Sequence, residues 1–154
     1  MLVREARIRM SELPGSVLFA CTMNAIRSPM AEGFLKFLHG TRIYVDSAGM
    51  RAREVDGFAV AVMEEMGIDI SRHAAKTFDD LEDDLFDIVI TLSPEAHHRA
   101  LEMTRTSSVE VELWNTFDPS IVEGNREQRL DAYRQVRDRI FQRIRSRFAP
   151  AMKP

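Results

Sequence analysis

Cysteine is nearly absent from this sequence: of 154 residues, only Cys21 carries a thiol. An internal disulfide is therefore impossible, and a zinc site built from several cysteines is excluded. The sequence also lacks a run of about 18 consecutive apolar residues, the length that a membrane helix needs. The charged segment 1–16 contains no apolar stretch of the kind found in a signal peptide.

Excess charge of one sign is absent too. The formal net charge of −3 is too small to imply a nucleic-acid or membrane partner. The adjacent residues His97 and His98 fall on different faces of a predicted helix, so they do not form a metal-binding pair. We therefore expect a cytoplasmic protein that needs no metal or other cofactor and binds neither nucleic acid nor membranes.

The length of the chain predicts one domain. Hydrophobic residues make up 45% of the sequence, which at this length suffices for a core without covalent cross-links. Pro14-Gly15 ends a charged leading segment. We therefore interpret residues 1–15 as an N-terminal extension and residues 16–150 as a single domain.

Short apolar runs alternate with segments of helical periodicity. The apolar runs predict strands at 17–20, 43–48, 86–92 and 109–113, and the periodic segments predict helices at 28–40, 58–66, from 93 onward and at 126–148. Such alternation is typical of an α/β fold, here a three-layer one with a four-stranded parallel sheet and helices on both faces. Ligands of such folds bind at the carboxyl ends of the strands.

Two Ser-Pro pairs follow predicted strands. In each pair, Ser28-Pro29 and Ser93-Pro94, the serine is a good helix N-cap and the proline suits the first helical position. Glu32, four residues after Ser28, adds negative charge near the positive end of the first helix.

The only cysteine ends the first strand, and five residues separate it from Arg27. A loop of this length can curl so that its backbone N–H groups form an anion-binding ring, which the following helix N-terminus reinforces. The Arg27 guanidinium matches two phosphate oxygens, and the positive surroundings favour a thiolate at Cys21. A lone cysteine after a strand is usually an inert buried side chain. The position at the ligand-binding edge, before Arg-Ser-Pro and a helix, favours a functional thiol here.

The segment VLFACTMNAIRSPMAE at 17–32 resembles the phosphate-loop signature of the low-molecular-weight protein tyrosine phosphatases. Thioredoxin-coupled arsenate reductases share that superfamily. The resemblance continues through DSAG at 46–49 and GIDISRH at 67–73 to Asp118-Pro119, and it covers most of residues 16–148.

The resemblance implies roles for individual residues. Cys21 is the implied nucleophile and Arg27 the phosphate clamp, while Asp118 is the implied general acid and later the base. Without the resemblance, a turn would be an equally good interpretation of Asp118-Pro119. The remaining residues of the implied phosphate-binding loop are Thr22, Met23, Asn24, Ala25, Ile26 and Ser28. The residues of the implied network that holds this loop are Asn24, Ser28, Ser47 and His73; Asn24 also tolerates a left-handed backbone conformation.

Three positions depart from the family pattern. Met23 stands where glycine is common, which puts the geometry of the loop in question. Ile26 replaces a second cysteine that often protects the first, and the missing thiols argue against a thioredoxin-coupled cascade. The loop after Gly49 carries Arg51 and Arg53 instead of aromatic residues. Of the nearby rings, we expect Trp114 in the core, whereas Phe117 is a candidate for the site.

These features predict a metal-independent phosphomonoester hydrolase of the protein tyrosine phosphatase type, which acts on a phosphorylated protein or a small phosphomonoester through a cysteinyl-phosphate. One alternative is a single-thiol arsenate reductase that borrows glutathione or glutaredoxin. The other is a non-catalytic module that binds an oxyanion or a phosphoprotein. The many arginines between 126 and 147 are interpreted as a solvated helix face.

Overall fold

The computed structural model describes residues 13–82 and 85–149. Most of the predicted extension, residues 1–12, and the predicted last domain residue, 150, lie outside the described residues. The helices and strands, in chain order, are β1 (Ser16–Cys21), α1 (Arg27–His39), β2 (Tyr44–Gly49), α2 (Gly57–Glu64), β3 (Ile88–Thr91), α3 (Pro94–Leu101), β4 (Glu110–Leu113) and α4 (Arg126–Arg147). Short 3₁₀ helices span Phe78–Asp80, Glu102–Arg105 and Pro119–Ile121.

The sheet has the order β2-β1-β3-β4, and every strand pair in it is parallel. The predicted four-stranded parallel sheet is thus confirmed. At its carboxyl edge Cys21 pairs with Gly49, and Thr91 pairs with Leu113. The loops that follow all four strands therefore leave the sheet on the side where Cys21 lies.

Helices cover both faces of the sheet, which confirms the predicted three layers. Val17 and Phe19 of β1 point into a large core cluster shared with α1, α2 and α4. The alternate residues Leu18 and Ala20 point into a smaller cluster shared with α3, as the two-residue period of a strand requires. No helix in the described ranges has the length and apolarity needed to span a membrane.

Local capping explains where α2 begins. The Asp56 carboxylate accepts hydrogen bonds from the backbone N–H groups of Phe58 and Ala59, at 2.8 and 3.3 Å. The helix therefore starts at Gly57, one residue before the predicted start, and it ends at Glu64 instead of 66. This cap matters for the site because Asp56 also borders the loop after β1.

Candidate active site

The loop after β1 presents its backbone in an orientation suited to an anion. Its carbonyl oxygens turn outward to the neighbouring segment 50–56, accepting hydrogen bonds of 2.9 to 3.2 Å from Met50, Arg51, Arg53 and Asp56. No backbone N–H group of residues 22–26 donates to a protein acceptor in the described part of the chain. These amide groups are therefore free to bind oxyanion oxygens.

Asn24 supplies the left-handed residue that curls the loop. Its φ of 54° is the only positive φ of a non-glycine residue within the described ranges. Met23 therefore needs no glycine-like conformation, and its side chain packs partly buried against the core. The left-handed residue of the turn is therefore the neighbouring asparagine, a residue type that tolerates this conformation.

Gly49 at the end of β2 allows the loop to approach the sheet closely. A Cβ atom at this position would lie 2.7 Å from the Asn24 backbone nitrogen and 2.9 Å from the Met23 carbonyl carbon. These distances are far below van der Waals contact, so the ring depends on a glycine here.

Ser28 faces the thiol and does not cap the helix. α1 begins at Arg27 with Ile26 as its N-cap, and no side chain caps it, so the predicted Ser28 cap is wrong. Instead the Ser28 Oγ lies 2.9 Å from the Cys21 Sγ and accepts a hydrogen bond of 2.8 Å from the Asn24 Nδ2. Because that bond occupies an oxygen lone pair, the single hydroxyl proton of Ser28 can be donated to a thiolate.

Asn24 is fully buried and is the centre of a polar network. Besides Ser28, its Nδ2 donates to the Ser47 Oγ at 2.9 Å. Its Oδ1 accepts from the Lys76 backbone N–H at 3.0 Å and lies 2.9 Å from the His73 Nε2. The structure thus brings together the four residues that the resemblance implies as a supporting network.

Glu32 extends this network, and the sequence analysis missed that role. Its Oε1 accepts from the Ser47 hydroxyl at 2.5 Å and lies 3.6 Å from the His73 Nδ1. Its Oε2 pairs with Lys36. The available signal was spacing: Glu32 is one helical turn after Ser28, on the same face of α1.

Burial lowers the pKa of His73 below its ordinary value of 6.5, and the Glu32 carboxylate only partly opposes this effect. The neutral imidazole is therefore favoured, with Nε2–H as the donor to Asn24.

Arg27 is buried at the same sheet edge as Cys21. Its Nη1 donates to the carbonyl oxygen of Thr116 at 2.9 Å and approaches that of Leu92 at 3.5 Å. These carbonyls belong to the loops after β4 and β3, so the guanidinium is held at the carboxyl edge of the sheet. Its Nε and Nη2 make no hydrogen bond within the described residues, which leaves a planar pair of donors for two oxyanion oxygens.

Asp118 lies after β4, half-buried, at the start of the 3₁₀ helix Pro119–Ile121. Its Oδ1 accepts from the backbone N–H and the hydroxyl of Ser120, at 2.9 and 2.7 Å, as in the turn interpretation. Its Oδ2 has no partner among the described residues and remains available for proton transfer. Burial, the Asp56 carboxylate and the Asp118 carboxylate all raise the pKa of Tyr133.

The remaining residues of the loop after β1 make contacts that support its conformation. Ala25 and Ile26 are buried in the core, and the Thr22 hydroxyl donates to the Ser93 Oγ at 3.1 Å. Trp114 is buried as expected, whereas Phe117 is 55% exposed beside Asp118.

Comparison with known proteins agrees with this geometry. A family model described as low molecular weight phosphotyrosine protein phosphatase matches residues 16–153. The chain belongs to this family. The resemblance inferred from the loop is thereby confirmed.

Arsenate reductases are among the relatives that are similar to this chain in sequence, and a phosphatase is among the proteins that share its fold. The arsenate reductase of Halalkalibacterium halodurans is 38% identical over 130 residues, which are 84% of this chain and 92% of the relative. The glutaredoxin arsenate reductase of Synechocystis sp. is 35% identical, covering 86% of this chain and 95% of the relative. The tyrosine phosphatase AmsI of Erwinia amylovora superposes with a TM-score of 0.71 and 21% identity, covering 88% and 92% of the two chains, which shows the shared fold alone.

Proposed function

We propose that this protein is an arsenate reductase that uses one protein thiol, Cys21, and takes its electrons from an external thiol. The observation that carries the proposal is the ring itself: the only cysteine of the chain lies 2.9 Å from a hydroxyl donor inside a loop whose amide groups are free. This arrangement suits any tetrahedral oxyanion. The similarity to arsenate reductases over most of both chains favours arsenate over a phosphate ester.

In the first step the Cys21 thiolate attacks arsenic(V). Ser28 and the N-terminus of α1 stabilise the thiolate before attack. The loop amides and the free donors of Arg27 hold the remaining oxygens, where negative charge develops. Asp118 donates a proton to the departing oxygen, which leaves as water, and a sulfur–arsenic bond is formed.

In the second step an external thiol attacks the Cys21 sulfur. The electron pair of the sulfur–arsenic bond stays on arsenic, so arsenite leaves and a mixed disulfide remains. A second thiol then attacks this disulfide and restores Cys21. Overall, one arsenate and two thiols yield one arsenite, one disulfide and one water. Because the chain holds one cysteine, the disulfide cannot form within it.

The second candidate is the phosphomonoesterase favoured by the sequence analysis. Asp118 supports it, since a phosphate ester needs an acid to protonate its leaving group and then a base to activate water. The non-catalytic module was based on Met23 in place of glycine, and Met23 does not have the positive φ for which glycine would be needed.

The test is an assay of both reactions with purified protein. Arsenite release from arsenate with glutathione is measured in parallel with hydrolysis of an aryl phosphate in EDTA, for wild type and Cys21→Ser. We expect thiol-dependent arsenite release that the substitution abolishes. Aryl phosphate turnover without any arsenite would instead establish the phosphatase.

A further inference from the structure

The arginines of α4 differ in how they are neutralised. Arg134 and Arg137, in the middle of the helix, both pair with Glu65, at 2.8 and 2.7 Å. Near the N-terminus of the same helix, Arg126 and Arg129 have no carboxylate partner within the described residues. Their guanidinium carbons instead lie 5.4 and 4.7 Å from the centre of one ring, that of Phe58.

This placement is electrostatically unfavourable within the protein alone. The N-terminus of a helix carries partial positive charge, so cations in its first turns are disfavoured. The one acidic residue of the first turn, Glu127, is engaged with Arg134 at 3.3 Å. Two uncompensated cations fixed on an aromatic ring are the arrangement of an anion-binding surface.

The arginine pair packs on Phe58, at the end of a segment, 53–58, that donates hydrogen bonds to the loop after β1 and that we call its rim. The backbone N–H of Asp56, two residues before Phe58, donates to the Ala25 carbonyl of the loop at 3.0 Å. The ring of Tyr133 lies 5.3 Å from that of Phe58, and its hydroxyl donates to the Asp56 carboxylate at 3.0 Å. Both oxygens of Asp56 thus accept hydrogen bonds, from Tyr133 and from the start of α2, and within the described residues Asp56 forms no ion pair with Arg126 or Arg129.

Arg53 adds a third cation to this rim. It is exposed, has no carboxylate partner in the described part of the chain, and its backbone N–H donates to the Met23 carbonyl at 3.1 Å.

The depth of the thiol restricts the reductant. Cys21 is only 2% exposed, at the bottom of the ring. A slender molecule can reach this sulfur more readily than a thiol on a protein surface.

We infer that Arg126 and Arg129, stacked on Phe58, bind a carboxylate of the small acidic thiol that releases arsenite from Cys21. This inference rests on the proposed arsenate reduction. The chemical class is a low-molecular-weight thiol with one or more carboxylates, of which glutathione is the probe. The carboxylate pairs with the guanidinium groups while the thiol end extends over the loop towards the sulfur.

The test compares an acidic and a neutral thiol as reductants. Initial rates of arsenite release are measured with glutathione and with 2-mercaptoethanol, for wild type and for the double substitution Arg126→Gln/Arg129→Gln. We expect the ratio of the glutathione rate to the mercaptoethanol rate to fall about tenfold in the variant, through a higher KM for glutathione. Restoring charge with Arg126→Lys/Arg129→Lys should recover part of this ratio.

A matched control lies on the same helix. Arg145 is also exposed, has no carboxylate partner in the described ranges and stacks on Phe141 at 5.4 Å, but it lies about 24 Å farther along α4 than Arg129. Arg145→Gln should keep the wild-type ratio. Inhibition by S-methylglutathione, which cannot donate electrons, should weaken in the double variant and not in the control.

The outcomes separate the two claims. An unchanged ratio in the folded double variant, or an equal loss with both thiols, overturns the role of the arginine pair while arsenate reduction stands. Absence of arsenite with either thiol in the wild type overturns the proposed function itself.

Discussion

Two identical Ser-Pro pairs follow β1 and β3 at the same edge of the sheet, and they do different work. Ser93 adopts an extended backbone and accepts a hydrogen bond from the Ala96 N–H at 3.3 Å, with Pro94 at the first helical position. Ser28 lies one residue inside α1, and its hydroxyl faces Cys21. Ser93 therefore caps a helix, whereas Ser28 contacts the proposed nucleophile, Cys21.

The difference comes from the chain that precedes each pair. After β3 only Leu92 stands between the strand and Ser93, so the backbone turns directly into α3. After β1 the loop 22–26 curls around the left-handed Asn24, and this places the helix start at Arg27. The local preference of the Ser-Pro pair is the same, but the loop decides where its hydroxyl points.

The largest effect is expected from the substitution of Asn24, which donates a hydrogen bond to Ser28. Within the described residues, Ser93 has no equivalent asparagine beside it. Asn24→Ala leaves buried partners without a hydrogen bond and puts a Cβ-bearing residue without a polar side chain in the left-handed region. We expect the free energy of unfolding to fall by about 3 kcal/mol, measured by urea denaturation, and turnover to be lost.

Asn24→Gly separates the two causes, because glycine removes the side chain without backbone strain. If the glycine variant regains wild-type stability, the network contributes nothing and strain explains the effect.

Next in size is the removal of the Ser28 hydroxyl. A hydrogen bond to a charged acceptor contributes about 1.5–3 kcal/mol, so Ser28→Ala should lower turnover about 10- to 100-fold. The alkylation rate of Cys21 by iodoacetamide should change as well, because the sulfur loses the hydroxyl that lies 2.9 Å from it. Unaltered alkylation would contradict a role of Ser28 in stabilising the thiolate.

Ser93→Ala should affect stability more than turnover, the reverse of Ser28→Ala. Loss of an N-cap costs about 1 kcal/mol of stability, whereas turnover should change by no more than about twofold, through the contact with the Thr22 hydroxyl. Thermal unfolding and the arsenite assay measure the two effects. A greater loss of turnover in Ser93→Ala than in Ser28→Ala would remove the distinction between the two serines.

The smallest expected effect is a pH dependence of the free energy of unfolding. It arises from His73, which belongs to the network around Ser28 and has no counterpart at Ser93. The pKa of His73 is lowered on folding, chiefly by burial, so the unfolded chain binds a proton more readily than the folded one. The stability contributed by neutral His73 is therefore complete above pH 6.5, the ordinary pKa, and is lost as the pH falls through the folded-state pKa.

The free energy of unfolding, followed by urea titration from pH 7.5 to about 5, should fall more steeply in the wild type than in His73→Gln, whose amide can still donate to Asn24. Parallel curves would show that His73 does not titrate with folding.

Much of the fold and part of the site could be predicted from local sequence. The continuous apolar run 17–20 marked a buried strand, and the alternation with helices predicted the parallel sheet. The five-residue spacing between Cys21 and Arg27, before a helix, predicted an oxyanion loop. The role of Glu32 was missed, since it depends on contacts with Ser47 and His73, which lie far along the chain.

What the sequence by itself determined is the order of the elements and the chemical inventory of the site: one thiol, one arginine and the loop that joins them. These follow from periodicity and spacing, which act over a few residues. Only the tertiary structure decided that Ser28 faces sulfur, that Gly49 admits the loop and that Arg126 and Arg129 share one ring. The contacts of Gly49 and of the two arginines join elements distant in sequence. The contact of Ser28 is nearer in sequence, but it depends on the curl of the loop around Asn24, whose partners Ser47 and His73 lie far along the chain.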